Sequence, residues 1–152
     1  MKPQSYNIVL NSVNGVGTLN SNKTYYMDFN NIKPDIPYEL TFSYVGKANT
    51  LSTFSLPMVY LDLGQTNTYE AKGNTGNNIS KFIGVLTPNQ LATTSFLNAP
   101  ISNPPVYLDK IHSYNSINVL ILNENSGAWL DVSGTPQDVG TYVMVLHLTP
   151  AK

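Results

Sequence analysis

The sequence predicts an all-β domain, folded as a sandwich or a barrel. Short segments alternate between apolar and polar residues with the period of two that a half-buried strand requires. Eight or nine such segments recur at intervals of about 8–15 residues, separated by turns rich in Gly, Pro and Asn. At 152 residues the chain has the length of one domain, and no linker or shift of composition divides residues 1–152.

The clearest strand covers residues 38–44, where aromatic and aliphatic side chains alternate with Glu, Thr and Ser. Residues 58–63 repeat the pattern with Val and Leu on one side. Gly46 follows the first segment and is predicted to turn the chain, and Gly64 is predicted to end the second.

Weaker segments complete the strand set. The last one is apolar on both faces, with Val143, Val145 and His147 opposite its inward side chains, so we expect it to be covered on both sides. One or two helical turns are expected after Thr87-Pro88, and a hairpin turn at 125–127. The weaker predicted strands are 6–10, 24–29, 79–86, 106–108, 117–122, 128–132 and 141–149.

The connections between the predicted strands indicate how they are joined. Several are long, which favours Greek-key or jelly-roll wiring over a simple meander. The sequence has no repeat at a fixed period, which argues against a propeller or a solenoid. The order of the strands stays open at this point.

The composition excludes several classes of protein. Charged residues make up 11% of the chain, with eight Lys, no Arg and a net charge of −1, while Asn, Ser and Thr contribute 46 residues. A disordered chain would carry more charge, and a nucleic-acid-binding protein would show a basic surface, so no nucleic-acid partner is expected. The longest strictly apolar run falls far short of about 20 residues, so no membrane span is expected.

The sequence contains little that indicates catalysis. A Ser–His–Asp triad could be assembled from His147 with Asp131 or Asp138, but 13 Ser residues make that match uninformative, and no Gly-x-Ser-x-Gly motif is present. We interpret His147 as structural, directed toward a neighbouring strand or an interface, and His112 as lying near a turn. No catalytic residue is therefore predicted.

Metal and cofactor sites are not predicted either. The sequence has no Cys, no closely spaced His pair and no run of acids that would form a calcium loop. Asp62, Asp109 and Asp131 each follow a Leu near a strand end, where an Asp more often caps a turn. Gly15-Val16-Gly17 lacks the continuation of a phosphate-binding loop and is interpreted as a turn or bulge.

Two features point toward molecular contacts. The ten Tyr side chains could line the core, form an interface between copies or provide a platform for a ligand. Residues 64–78 have few apolar residues and three Gly, which is typical of a functional or mobile loop, although a solvated excursion is an equal interpretation. The candidate subunit-contact residues in this loop are Gly64, Gln65, Asn67, Tyr69, Asn74 and Asn77.

The size, the strand number and four segments resemble the single jelly-roll penton or vertex proteins, minor capsid proteins of large icosahedral double-stranded DNA viruses. The segments are 58–63 (MVYLDL), 105–108 (PVYL), 127–131 (GAWLD) and 145–150 (VLHLTP). The resemblance covers nearly the whole chain through pattern and length. It implies one jelly roll: two antiparallel sheets, eight strands and Greek-key connections.

The resemblance also implies a structural role without catalytic residues or a cofactor. The chain would form a homopentamer at a five-fold vertex of the virion, contact neighbouring major and minor capsid proteins, and be assembled in the host cytoplasm. It departs from many viral jelly rolls because it has no basic arm for the genome. The main alternative is a carbohydrate- or receptor-binding β-sandwich, such as a lectin or the head of a spike or fibre, and a small hydrolase is a third.

Overall fold

The structure, a computed structural model, is an all-β molecule. It describes residues 4–27, 32, 36–48, 57–72, 76–79, 81–88, 96–98, 104–111, 116–122 and 139–152. A single 3₁₀ turn in these ranges, at Ser12–Asn14, follows the first strand. The strands are β1 (Tyr6–Asn11), β2 (Asn22–Tyr26), β3 (Tyr38–Ala48), β4 (Met58–Asp62), β5 (Gly64–Thr66), β6 (Tyr69–Lys72), β7 (Gly76–Ile79), β8 (Phe82–Val85), β9 (Thr87–Pro88), β10 (Phe96–Asn98), β11 (Val106–Ile111), β12 (Ser116–Leu122) and β13 (Val139–Pro150).

The strands form two main antiparallel sheets and a separate β6–β7 hairpin. Sheet A has the order β1-β13-β3, and β3 then pairs with β11 along its first half and with β10 along its second half. Strand β5 pairs with β11, and β9 pairs with β10. Sheet B has the order β2-β12-β4-β8.

Eight of these strands have the wiring of a jelly roll. The orders β1-β13-β3-β11 and β2-β12-β4-β8 place the first and last strands side by side. Successive members of the eight lie in opposite sheets, except β4 and β8, which are neighbours in sheet B. This arrangement of two Greek keys in two sheets is the jelly-roll sandwich. The predicted fold class is confirmed.

The core lies between the two sheets because alternate residues of each strand point inward. Leu40, Met144 and Leu146 from sheet A and Val59 and Ile121 from sheet B are at most 1% exposed and belong to one buried cluster. Burying a side chain of this size contributes about 1.5–3 kcal/mol. The alternation predicted for residues 38–44 and 58–63 therefore places the core correctly.

Two tyrosines connect the sheets inside this core. The hydroxyl groups of Tyr25 on β2 and Tyr142 on β13 lie 2.8 Å apart, and the Tyr142 ring stacks on Tyr44 at a centroid distance of 5.1 Å. Burial raises the pKa of Tyr25 above its ordinary value, and the hydrogen bond to Tyr142 lowers it by less. A core role is thus correct for these three tyrosines, whereas Tyr26 and Tyr107 are exposed.

Several local predictions are wrong. Gly46 does not turn the chain, because it lies inside β3, where the Tyr44 ring occupies the space that a side chain would need. The 58–63 segment does end before Gly64, since β4 ends at Asp62, but Gly64 begins a further strand, β5, that was not predicted. The predicted strand at 79–86 is two strands, since β7 ends at Ile79 and β8 begins at Phe82.

The helical turn expected after Thr87-Pro88 does not begin there, because both residues form β9 and pair with β10. The described residues contain 13 strands instead of eight or nine, and the additional ones are β5, β6, β7, β9 and β10. The remainder of the helical prediction at 89–95, Phe29, the turn at 125–127 and the strand at 128–132 lie outside the described residues.

Candidate functional site

The outer face of sheet A carries a cluster of exposed valines. Val9, Val45 and Val143 expose 64%, 59% and 41% of their surface, and Val145 is partly buried. The register places Val143 opposite Val45 and Val145 opposite Val9, on three adjacent strands. We call these four residues, together with Val13, the valine face.

This exposure contradicts one prediction about β13. Its inward side chains Tyr142, Met144, Leu146 and Leu148 are buried as expected, but the opposite face is not covered. A strand with apolar side chains on both faces is expected to be covered on both faces. Here sheet B covers the inner face of β13, and Val143 on the outer face stays exposed. The valine face is therefore an apolar surface that remains open in the single chain.

A shallow groove of about 280 Å³ lies at one end of the valine face. Val13 borders it from the 3₁₀ turn, and Val45 and Val143 border it from the sheet. The side chain of Asn11 caps this turn by accepting a hydrogen bond from the amide of Val13 (3.2 Å). The hydroxyl oxygen of buried Ser12 accepts one from the amide of Tyr142 (2.9 Å), so the turn is held against β13.

A polar row lies at the other end of the valine face. Nδ1 of His147 is 2.7 Å from Oδ1 of Asn7, and Nε2 is 3.3 Å from Oγ of Ser43. With Nδ1 protonated, the ring donates to Asn7 and accepts from the Ser43 hydroxyl. The interpretation of His147 as a residue directed toward neighbouring strands is confirmed.

The Asn7–His147–Ser43 row has the same order of contacts as a catalytic triad, but it differs from one in two respects. A neutral amide occupies the place of the carboxylate that would stabilise a charged imidazole. The backbone N–H groups of a sheet lie in its plane, so they do not point at a carbonyl group placed above Ser43. The row orients His147 on the sheet. Asp131, Asp138 and His112 lie outside the described residues.

The connection between β1 and β2 adds a second apolar area. Val16 pairs with Thr24 in an isolated bridge, and Gly17 has a φ of +142°, a conformation that favours glycine. The ammonium group of buried Lys23 donates to the carbonyl oxygen of Gly17 (2.6 Å). The predicted turn or bulge at Gly15-Val16-Gly17 is a pair of bends on either side of this bridge, and Val16 and Leu19 are 61% and 51% exposed.

The predicted contact loop at 64–78 is wrong as a structural prediction. Gly64 and Thr66 are buried in β5, and the later part of the segment contributes the β6–β7 hairpin, which includes Tyr69 and Asn77. Short polar strands of this kind have no apolar alternation, so sequence periodicity does not reveal them. Asn74 lies outside the described residues.

Among the candidates whose side chains the structure describes, Gln65 and Asn67 are exposed. Asn67 is held against β11 by two hydrogen bonds to Tyr107. The backbone N–H of Asn67 donates to the carbonyl oxygen of Tyr107 (3.1 Å), and Oδ1 of Asn67 accepts from the backbone N–H of Tyr107 (3.2 Å). The role of the segment in subunit contacts stays a prediction.

One ion pair lies on sheet B, away from the valine face. Asp62 forms an ion pair with Lys81 (3.1 Å) on sheet B, and both side chains are about half exposed. In the ranges that the structure describes, no group of three or more His, Asp or Glu side chains could hold a metal ion. Within the same ranges, no helix is long and apolar enough to cross a membrane.

Sequence reasoning identified the residues of β13 but missed that one of its faces is open, and it missed the partners of His147. Both depend on which strands lie beside β13, which local patterns do not specify. The structure brings Val9, Val45 and Val143 together from three separate segments of the chain. No protein-family model and no curated protein matches this chain.

Proposed function

We propose that this chain is a structural subunit of a virus capsid and that five copies form the penton at a five-fold vertex of an icosahedral virion. In this role the pentamer contacts neighbouring major and minor capsid proteins. The proposal joins the resemblance in the sequence to two properties of the molecule, its strand order and its open apolar surface.

The strand order is the observation that carries the proposal. The sheets β1-β13-β3-β11 and β2-β12-β4-β8 form the jelly roll on which many viral capsid subunits are built, and this wiring also occurs in lectins and cupins. Because one fold serves several functions, the surface has to favour one of them.

The surface favours docking between proteins. A contiguous patch of exposed apolar residues on a monomer commonly marks a site of contact with another protein. The valine face is such a patch, and it spans three strands. A closed ring of identical subunits requires two different surfaces on each copy. The valine face lies toward the β1 edge of sheet A, and Gln65 and Asn67 lie at or beside β5 on the other side of that sheet.

The test is the mass and shape of the purified protein. Five chains of 16.7 kDa give a particle of about 84 kDa, which native mass spectrometry and light scattering separate from the monomer. Electron microscopy should show rings with five-fold symmetry. A protein that stays monomeric at millimolar concentration, and that is absent from vertices of purified virions, would contradict the proposal.

The alternative function, binding of a carbohydrate or a receptor, makes a different prediction. A monomeric protein that binds defined sugars on a glycan array, and that loses this binding in a Trp129→Ala variant, would favour the alternative. Absence of binding in both proteins, together with a pentameric mass, favours the capsid subunit.

A further inference from the structure

We propose that the valine face, together with the adjoining β1 edge and the apolar β1–β2 connection, is the surface that contacts the next copy of this chain. The inference rests on the proposed ring and adds to it the side of the molecule that is buried. It concerns residues other than the candidate subunit-contact residues of 64–78.

The first argument is the chemistry of the surface. The described side chains around the five valines are uncharged and include Asn7, Asn11, Ser43 and Thr141. Among these described side chains an acidic or basic partner would find no counter-charge, and burying its charges without a partner would be costly. A second copy suits this surface, because only 11% of the chain is charged and Asn, Ser and Thr are abundant.

The second argument is the open edge of β1. It is the outermost strand of sheet A in the described part of the chain, and its six residues pair with β13 without a register shift. Strand edges that avoid association usually carry a charge, a proline or a bulge, and the sequence of β1, YNIVLN, has neither a charge nor a proline. Within the described part of the chain, the outer backbone groups of β1 pair with no strand, so they are available to a strand or a loop of a neighbour.

The third argument is area. Three strands at about 4.8 Å spacing, over about 20 Å of strand length, cover a footprint of roughly 300 Å². A standard interface buries about 800 Å² on each partner. The contact must therefore continue beyond the strands, and the chain leads directly from Val13 into the exposed pair Val16 and Leu19. These two residues border a second groove of about 280 Å³.

A charge placed on the valine face tests the inference. Val143→Glu is compared with Val85→Glu, a matched control, because Val143 and Val85 are 41% and 40% exposed and Val85 lies on β8 of sheet B, outside the proposed contact. We expect Val143→Glu to raise the concentration needed for assembly by about tenfold or more. Val85→Glu should assemble like the unmodified chain.

A second measurement does not depend on whether the Glu variants fold. The chain has no cysteine, so Val9→Cys, Val143→Cys and Val85→Cys each introduce a unique thiol of nearly the same size as valine. We expect maleimide to label all three in dilute monomer. In the assembled protein, the thiols at positions 9 and 143 should be protected and the thiol at position 85 should still react.

The outcomes separate the two proposals. If the unmodified chain forms pentamers but thiols at positions 9 and 143 react as fast as in the monomer, the contact lies elsewhere, and the capsid proposal stands without this inference. If Val143→Glu and Val85→Glu weaken assembly equally, the effect is not specific to the valine face and the inference is wrong. If the unmodified chain is monomeric at all concentrations and absent from virions, the proposed function itself fails.

Discussion

The outer faces of the two sheets differ in the size and the exposure of their apolar side chains. Sheet B carries large ones, including Tyr60 and Leu120, which are register partners and only partly exposed. The Tyr60 ring also packs edge-on against Phe82 at 5.7 Å. Sheet A carries valines instead, and three of them expose 41–64% of their surface.

Polar contacts reinforce the difference. On sheet B the amide nitrogen of Asn118 lies 3.0–3.2 Å from Oδ1 of Asn22, the carbonyl oxygen of Lys23 and Oγ1 of Thr24, and Asp62 pairs with Lys81. Long side chains and hydrogen bonds thus cover the middle strands of sheet B, β12 and β4, from within the chain, whereas Tyr26 on β2 and Val85 on β8 are 70% and 40% exposed. Valine is too short to cover its neighbours, so Val9, Val45 and Val143 stay exposed on the outer face of sheet A.

The largest effect on stability is expected for a side chain on the inner face of β13. Leu146→Ala should lower the free energy of unfolding by about 2–5 kcal/mol, because Leu146 is fully buried between the sheets. Denaturant unfolding with a linear extrapolation measures this change. Val143→Ala on the same strand is the control, and a loss for Val143 as large as that for Leu146 would mean that the outer face is covered within the single chain.

Truncation on sheet B should have an intermediate effect. Tyr60→Ala removes the edge-on contact with Phe82 and the cross-strand contact with Leu120, and we expect a loss of about 1–2 kcal/mol. Val45→Ala on sheet A should cost less than about 1 kcal/mol in the monomer. Equal losses in the same unfolding experiment would remove the contrast between the two outer faces.

The tyrosine pair that joins the sheets should make stability depend on high pH. The raised pKa of Tyr25 means that the folded state favours the neutral phenol, so this contribution is complete below the unfolded value near 10 and is lost as the pH rises through the folded value. Tyr25→Phe removes the hydrogen bond, with an expected loss of about 1 kcal/mol at neutral pH. Its unfolding free energy should also fall less steeply above pH 10, and an unchanged slope would show that Tyr25 does not titrate in this way.

The smallest effect is expected for the ion pair on sheet B. Asp62 and Lys81 are about half exposed, so Asp62→Asn should change the unfolding free energy by less than about 1 kcal/mol. High salt should reduce the difference between the variant and the unmodified chain because mobile ions screen the pair. A loss above 2 kcal/mol that persists at high salt would show that this pair contributes much more to sheet B than its exposure indicates.

Much of the sandwich could be predicted from local patterns. Residues 38–44 and 58–63 alternate strictly, and in both cases the side chains predicted to face inward are buried. The predictions failed where backbone pairing acts without an apolar pattern. Strand β5 reads Gly-Gln-Thr and β9 reads Thr-Pro, so neither shows periodicity, and Gly46 resembles a turn residue until the Tyr44 ring is placed above it.

The candidate surface was less predictable than the fold. Val9, Val45 and Val143 each belong to an ordinary strand segment, and their assembly into one face follows from the pairing of β1 and β3 on either side of β13. The same pairing brings Asn7 and Ser43 to His147. The role of residues 64–78 in subunit contact was a compositional prediction that the β5 and β6–β7 strands neither support nor contradict.

The amino-acid sequence alone determined that this protein is built from strands, and which side of the most regular strands faces the core, because a two-residue period and the cost of exposing apolar area act locally. Tertiary structure alone decided the order of the strands, the open state of the valine face and the surroundings of His147. These depend on which distant segments become neighbours, and that choice is made by the packing of both sheets at once and not by any one segment.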